Sequence, residues 1–167
     1  MIARSLLMIL AVIACPAAAR DRPQAKPTPK PLIASIDGLP LGEIPRQQLP
    51  ATGCAAYLWS DGITHALVAM AGADPAMLRL SIDGALTDVP RVAQQGPGGF
   101  GFDTKTTYRA GDVTAILELT IETRADLTQG AAVPNGTLTL ERPNRDTVIL
   151  PIGGLIGCAA GTQGGTP

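Results

Sequence analysis

The sequence predicts an all-β domain of about eight strands, an antiparallel β-sandwich with a small β-barrel as the alternative, stapled by one disulfide. Three observations predict it. Apolar residues alternate with a period of two over much of the chain. Turn residues separate these runs at short intervals, and the 19 Gly and 15 Pro disfavour long helices. Two cysteines, Cys54 and Cys158, stand at the two ends of the β-rich part.

The clearest strand covers residues 112–123, where apolar and polar side chains occupy opposite faces, as in a half-buried antiparallel strand. The same alternation predicts strands at Met77–Ile82 and at residues 137–141. Residues 64–70 and 148–150 are apolar on both faces, which is typical of central strands. The apolar face of the clearest strand is formed by Val113, Ala115, Leu117, Leu119 and Ile121.

Turn residues lie between these runs. Ser60-Asp61-Gly62 and Ile82-Asp83-Gly84 each separate two strands, and Ala110-Gly111 turns the chain before the clearest strand. Pro143-Asn144-Arg145-Asp146 predicts a hairpin between two apolar runs. Many short strands with regular turns are typical of a sandwich or a small barrel, and the sandwich is the first prediction.

The two cysteines occur in near-identical segments, Gly53-Cys54-Ala55-Ala56 and Gly157-Cys158-Ala159-Ala160. Two cysteines in an exported domain most often pair, because the compartment is oxidising. The alternatives are two free thiols or a metal site. A metal is disfavoured because two cysteines and one histidine supply too few soft ligands, and no metal is predicted. The pair is therefore predicted to join the first core strand to the last.

The first nineteen residues, 1–19, have the layout of a signal peptide. Arg4 supplies a positive charge, residues 6–14 are apolar, and Ala17 and Ala19 fit a small-residue cleavage pattern. The apolar run is about ten residues, whereas a membrane-spanning helix needs roughly 20. The sequence therefore predicts export and no transmembrane segment in the mature chain.

A second processing route is open at Cys15. Residues 12–15 resemble a bacterial lipobox, in which the cysteine is lipidated and becomes the new N-terminus. Pro16 directly after the cysteine fits that pattern poorly. Cleavage after Ala19 predicts a periplasmic or secreted protein. Lipidation of Cys15 predicts a protein anchored to the membrane of the cell envelope.

Composition divides the rest of the chain into three parts. Residues 20–31 form a Pro-rich linker of net charge +3, residues 32–160 the β domain, and residues 161–167 a flexible tail. Residues 32–167 carry a net charge of −5, and aromatic residues make up only 3% of the chain. Nucleic-acid binding depends on basic charge and base stacking, so no nucleic-acid partner is predicted.

Catalytic patterns are weak. His65 is the single histidine, and neither a serine nor a cysteine sits in a nucleophile-elbow pattern that it could activate. No glycine loop of the kind that cradles phosphates is present, so no cofactor is predicted. A hydrolase using His65 and a carboxylate remains one hypothesis, and it predicts loss of activity in His65→Ala.

Four aromatic residues form the predicted contact site. Tyr57 and Trp59 lie two apart on one face of a strand, opposite the face of Cys54. Phe100 and Phe102 both lie in the glycine-rich stretch at residues 94–102, which the sequence predicts to be a flexible loop. Exposed aromatic residues often mark contact sites, although buried packing is the alternative for all four.

The leading functional hypothesis is an exported, non-enzymatic β domain of the bacterial cell envelope, with a binding or structural role and an envelope protein as its partner. The signal, the Pro-rich linker and the disulfide support it. Inhibition of a secreted hydrolase, such as a lysozyme or a protease, is the first alternative, with residues 96–102 as the inhibitory loop. An uncharacterised periplasmic hydrolase is the second.

Overall fold

The structure, a computed structural model, describes residues 31–160. Several predicted features lie outside the described residues. They are the signal peptide with Cys15, almost all of the Pro-rich linker, and the tail at residues 161–167. Within residues 31–160 there is no helix of the length and hydrophobicity that crossing a bilayer requires.

Nine strands make up the described part of the chain, and every pairing between them is antiparallel. They are β1 (Leu41–Gly42), β2 (Cys54–Ser60), β3 (Leu67–Gly72), β4 (Met77–Ile82), β5 (Ala85–Gly99), β6 (Phe102–Ala110), β7 (Val113–Leu119), β8 (Gly130–Glu141) and β9 (Val148–Cys158).

Strands β2 to β9 form a closed barrel. Each strand pairs with the next along the chain, and β9 pairs with β2 over seven residue pairs, from Cys54↔Cys158 to Ser60↔Ile152. The all-β prediction is confirmed, and the architecture is the stated alternative, the barrel, rather than the sandwich. A sandwich requires two sheets with free edges, whereas here the ladder of hydrogen bonds continues around the whole circumference.

The predicted disulfide is confirmed. Cys54 and Cys158 face each other directly in the β2–β9 ladder and are joined across 104 positions of sequence. Both side chains are buried. The bond therefore fastens the seam at which the first and last strands of the barrel meet.

Aliphatic side chains fill the barrel interior. Residues directly opposite each other on neighbouring strands point to the same face, and the inward set forms one connected core. Eight strands enclose a space just wide enough for such side chains, so the interior is packed rather than open. The largest fully buried side chains are Tyr108, Phe102, Ile36, Leu41, Ile44, Leu58, Leu78, Leu80, Leu117, Leu138, Leu140 and Ile152.

The segment before β2 covers one end of the barrel. β1 pairs with the last two residues of β4, through Leu41↔Ile82 and Gly42↔Ser81. Ile36 and Leu41 are fully buried and belong to the core cluster. The segment that precedes Cys54 therefore joins the sheet through β1, and its apolar residues shield the core from water at that end.

The β5–β6 hairpin extends past its neighbours at the other end. β4 pairs with β5 only as far as Pro90, and β7 pairs with β6 only from Lys105 onward. A bulge between Gln95 and Gly98 interrupts the β5–β6 ladder, and bulges bend the strands that carry them. At the tip Phe102 turns inward and is only 1% exposed. We call residues 92–102 the hairpin ribbon.

Tyr108 is the largest polar side chain inside the barrel. Its hydroxyl has no hydrogen-bond partner among the described residues. Burial raises the pKa of Tyr108 to about 12, and the nearby positive charge of Arg91 opposes that rise. A buried hydroxyl without a partner costs stability.

Tyr108→Phe is expected to raise the free energy of unfolding by about 1–2 kcal/mol at neutral pH, because it removes this unpaired hydroxyl while keeping the ring. The unfolded chain ionises its tyrosines near pH 10, so the folded protein holds the Tyr108 proton more tightly. Wild-type stability should therefore fall between pH 10 and about 12, and the variant should lose less. Urea denaturation of both proteins at pH 7 and pH 11 measures both effects. If wild type and Tyr108→Phe lost the same free energy of unfolding between these two pH values, the pKa shift of Tyr108 would be contradicted.

Candidate functional site on the outer barrel face

The outer face of β2 and β9 carries two of the four predicted aromatics. Ala56, Leu58 and Ser60 are buried inside the barrel, so Tyr57 and Trp59 point outward. Tyr57 pairs with Leu155, which is 48% exposed, and Trp59 pairs with Gly153. A partly exposed apolar floor therefore lies across the strand pair that the disulfide fastens.

One wall of this floor is Leu49, which belongs to the segment at residues 45–50 that we call the strap. The Tyr57 hydroxyl donates a hydrogen bond to the Gln48 carbonyl oxygen at 2.7 Å, and burial raises the Tyr57 pKa. Leu49 is 63% exposed and lies above Gly157, where a Cβ atom would stand 2.7 Å from the Leu49 Cδ2 atom. The glycine therefore lets the strap lie close against β9.

An arginine on β4 holds the strap from its other side. The Arg79 guanidinium donates two hydrogen bonds of 2.7 Å to the Asp88 carboxylate and a third, of 3.0 Å, to the Gln47 Oε1 atom. This bidentate pairing with Arg79 keeps the pKa of Asp88 below its ordinary value. Asp88 thus orients the arginine that fixes the strap.

The opposite wall is formed by residues 126–129. They belong to the connection at residues 120–129 between β7 and β8, which we call the wall loop. The Leu127 amide donates to the Arg124 carbonyl oxygen at 3.0 Å and forms a turn. Arg124 pairs with Asp126 at 2.9 and 3.0 Å and lowers the pKa of that carboxyl. The loop is joined to β9 because the Cys158 amide donates to the Gln129 carbonyl oxygen at 3.1 Å.

The floor, the strap and the wall loop enclose a groove of about 360 Å³, which we call the aromatic groove. That volume lies near the lower limit for small-molecule pockets. Tyr and Trp are over-represented among residues that dominate binding energy at protein interfaces. The lining residues are Leu49, Tyr57, Trp59, Asp126, Leu127, Thr128, Gln129, Gly130, Leu155, Ile156 and Gly157.

The two phenylalanines lie elsewhere. β6, which begins at Phe102, is four strands from β2 in either direction around the barrel. Phe102 belongs to the core and is not part of an exposed surface, and Phe100 is partly buried against that core. Phe100 also lines a separate cleft of about 400 Å³ beneath the hairpin ribbon. The four predicted contact residues therefore do not form one site; only Tyr57 and Trp59 share the aromatic groove.

Three leucines of the groove were not predicted as contact residues: Leu49, Leu127 and Leu155. Leu49 and Leu127 lie in irregular segments, where no periodicity indicates which side chains face outward. Leu155 lies in a strand whose pattern is interrupted by glycines. The repeated glycines near Leu155 are the one signal that could have indicated a shallow surface there.

His65 lies in the turn between β2 and β3. Its Nδ1 atom is 3.0 Å from the Ser60 carbonyl oxygen. The Ser60 hydroxyl donates to the Thr64 carbonyl oxygen and accepts a 3.0 Å hydrogen bond from the Ala66 amide. These contacts brace the turn. Over residues 31–160, no group of three or more His, Cys, Asp or Glu side chains is arranged to hold a metal ion.

Comparison of the chain with protein-family models, with curated proteins and with solved structures found no match. The function is therefore inferred from the geometry of the aromatic groove, the packing of the barrel and the pattern of the sequence.

Proposed function

We propose that the protein is an exported, non-enzymatic domain of the bacterial cell envelope that binds a partner protein through the aromatic groove. The observation that carries the proposal is that Tyr57 and Trp59 lie side by side on the outer barrel face, between two walls that leave them partly exposed.

Packing supports an external site. Leu58, Leu117 and Leu138 belong to a core that occupies the interior. Lead-in residues Ile36 and Leu41 cover one end, and Phe102 is buried at the other. A small molecule inside the barrel would have to displace this core, which costs several kcal/mol for each large side chain. Binding on the outer surface avoids this cost, because aromatic groups are already exposed there.

Export is supported by the signal-peptide pattern of residues 1–19 and by the buried disulfide, because such bonds persist in oxidising compartments. The localisation that we propose is periplasmic or secreted. Lipidation of Cys15 would instead anchor the domain to a membrane, with residues 20–31 as the tether.

Trp59→Ala is expected to reduce recovery of the partner by roughly 10-fold or more, as hot-spot truncations at interfaces do. Trp59 is partly exposed, so the melting temperature should change by only a few degrees. The measurement is quantitative affinity recovery from envelope extract with the full exported chain as bait.

The matched control is Ile149→Ala. Ile149 lies on the same strand as Leu155 and on the same outer face, is 65% exposed, and does not line the aromatic groove. Its variant should recover the partner at the wild-type level. Equal recovery by Trp59→Ala and wild type would show that the groove is not the binding surface.

A second function, inhibition of a secreted hydrolase such as a lysozyme or a protease, is favoured by the hairpin ribbon. Residues 92–98 are exposed, because β4 pairs with β5 only as far as Pro90 and β7 pairs with β6 only from Lys105 onward. Inhibitors commonly present a projecting segment on a rigid scaffold. Replacing residues 93–98 by a short Gly-Ser turn, with Phe102 kept, should abolish inhibition in an assay against a lysozyme and a protease. Undiminished inhibition would exclude the ribbon.

A further inference from the structure

We propose that the Cys54–Cys158 disulfide keeps both walls of the aromatic groove in place, so that the groove is complete only in the oxidised chain. The proposal rests on the proposed function only in treating the groove as the binding site. Its structural content concerns how the strap and the wall loop are attached to the barrel.

The strap reaches the barrel directly beside the bond. Residues 51–53 connect it to Cys54, the first residue of β2. The Ala159 amide donates to the Gly53 carbonyl oxygen at 2.8 Å, so the connection that follows the strap is bound to the residue after Cys158. The position of Leu49 above Gly157 therefore depends on the two strand ends staying together.

The wall loop is attached at the same place. Its last residue, Gln129, accepts the hydrogen bond from the Cys158 amide, and the next residue, Gly130, pairs with Gly157. Further back, the loop is held to β8 by the isolated bridge Glu122↔Ala132 and by the Thr120 amide, which donates to the Asn135 carbonyl oxygen at 3.0 Å. Residues between these points are mostly exposed. The contact with Cys158 is thus the attachment that sets the distance from the loop to Tyr57.

The disulfide lies at the end of the β2–β9 ladder. Cys54↔Cys158 is the terminal pair of the β2–β9 ladder, and terminal pairs open most easily. The walls contribute little burial of their own, since Leu49 is mostly exposed. Without the covalent bond, opening of this end of the ladder would break the Gly53–Ala159 hydrogen bond. The wall loop would then move with β9, whereas the strap stays on β2 and β4 through its hydrogen bonds to Tyr57 and Arg79. The two walls would separate while the rest of the barrel stayed paired.

The single tryptophan of the chain, Trp59, reports on the groove without any partner. In Cys54→Ala/Cys158→Ala, its emission should shift to longer wavelength and its quenching constant with acrylamide should rise about twofold, because local opening admits water and quencher. Far-UV circular dichroism should keep its β-sheet form. A folded double variant with wild-type emission and quenching would overturn the proposal.

Leu117→Ala is the matched control. Leu117 is buried on β7, three strands away from β2, and its truncation costs stability comparable to loss of a disulfide. Trp59 emission and quenching should be those of the wild type in this variant. If they change as in the double cysteine variant, general loss of stability explains the effect and the proposal fails.

Hydrogen exchange on the oxidised wild-type chain decides the matter even where the double variant does not fold. The amides of Cys158 and Ala159 hold the two walls and should exchange only through global unfolding, as slowly as the core amide of Leu138. Exchange of these two amides 100-fold faster than that of Leu138, with the disulfide intact, would show that the bond does not clamp the walls. Neither readout involves a partner, so a failed partner recovery leaves this test unaffected.

Discussion

Removing the disulfide in Cys54→Ala/Cys158→Ala is expected to lower the free energy of unfolding by about 4–5 kcal/mol. The bond closes a loop of 104 positions, and the restriction of the unfolded chain grows with loop length. Typical domains are stable by only 5–15 kcal/mol, so the loss is a large fraction of the total. Urea denaturation of the oxidised wild type and the double variant, analysed with a common slope, measures the difference.

Chemical reduction supplies the control for that measurement. Wild-type protein unfolded and refolded in excess dithiothreitol should have the stability of the double variant, because both lack the same bond. A difference below about 1 kcal/mol between the oxidised protein and the double variant would mean that seven β2–β9 pairs close the barrel without help.

Phe102→Ala is expected to lower the free energy of unfolding by about 3–5 kcal/mol, the usual cost of deleting a buried aromatic ring. Phe102 stands at the start of β6 and is buried in the core cluster at the end of the barrel where the hairpin ribbon bends. Its loss would leave a cavity beneath the ribbon and admit water. Thermal and urea denaturation measure the effect.

Phe100→Ala is the companion variant. Phe100 is the same residue type two positions earlier, but it is only partly buried and lines the cleft beneath the ribbon. Its truncation should cost less than half as much, because less apolar area leaves water in the folded state. Equal and small costs for both variants would place Phe102 on the surface and contradict the packing described for this end.

The strands were largely predictable because period-two alternation reports one buried face. The turn at Asp83 and Gly84 is confirmed: both have positive φ, 49° and 81°, as a two-residue type I′ hairpin requires. The predicted strand at residues 112–123 was too long, since β7 ends at Leu119 and the chain then enters the wall loop. The alternation of apolar and polar residues continues beyond Leu119 to Ile121, so it does not indicate where β7 ends.

The choice of a sandwich over a barrel shows a limit of periodicity. A strand has one inward and one outward face in either architecture, so the same alternation fits both. What distinguishes them is whether the first and last strands pair, as β2 and β9 do. That pairing joins residues about a hundred positions apart, and hydropathy along a single strand contains no information about its distant neighbours.

The candidate site was half predictable. Tyr57 and Trp59 could be placed on an outward face because Cys54 fixed the inward one. The glycine-rich stretch around Phe102 suggested a loop, yet it forms the end of the β5–β6 hairpin, where Phe102 is buried. Leu49 could not be predicted as a wall of the groove, because its position depends on how the strap crosses β9.

Photo-crosslinking tests most directly whether the aromatic groove is the binding surface. A photo-crosslinking amino acid is placed at Leu155 in the full exported chain, and in a second chain at Ile149, on the same strand and outer face but outside the groove. On irradiation of intact cells, we expect a discrete crosslinked partner from position 155 that is absent from position 149 and lost when Trp59→Ala is added. Crosslinks of equal yield from both positions, or a crosslink from 155 that survives Trp59→Ala, would contradict it.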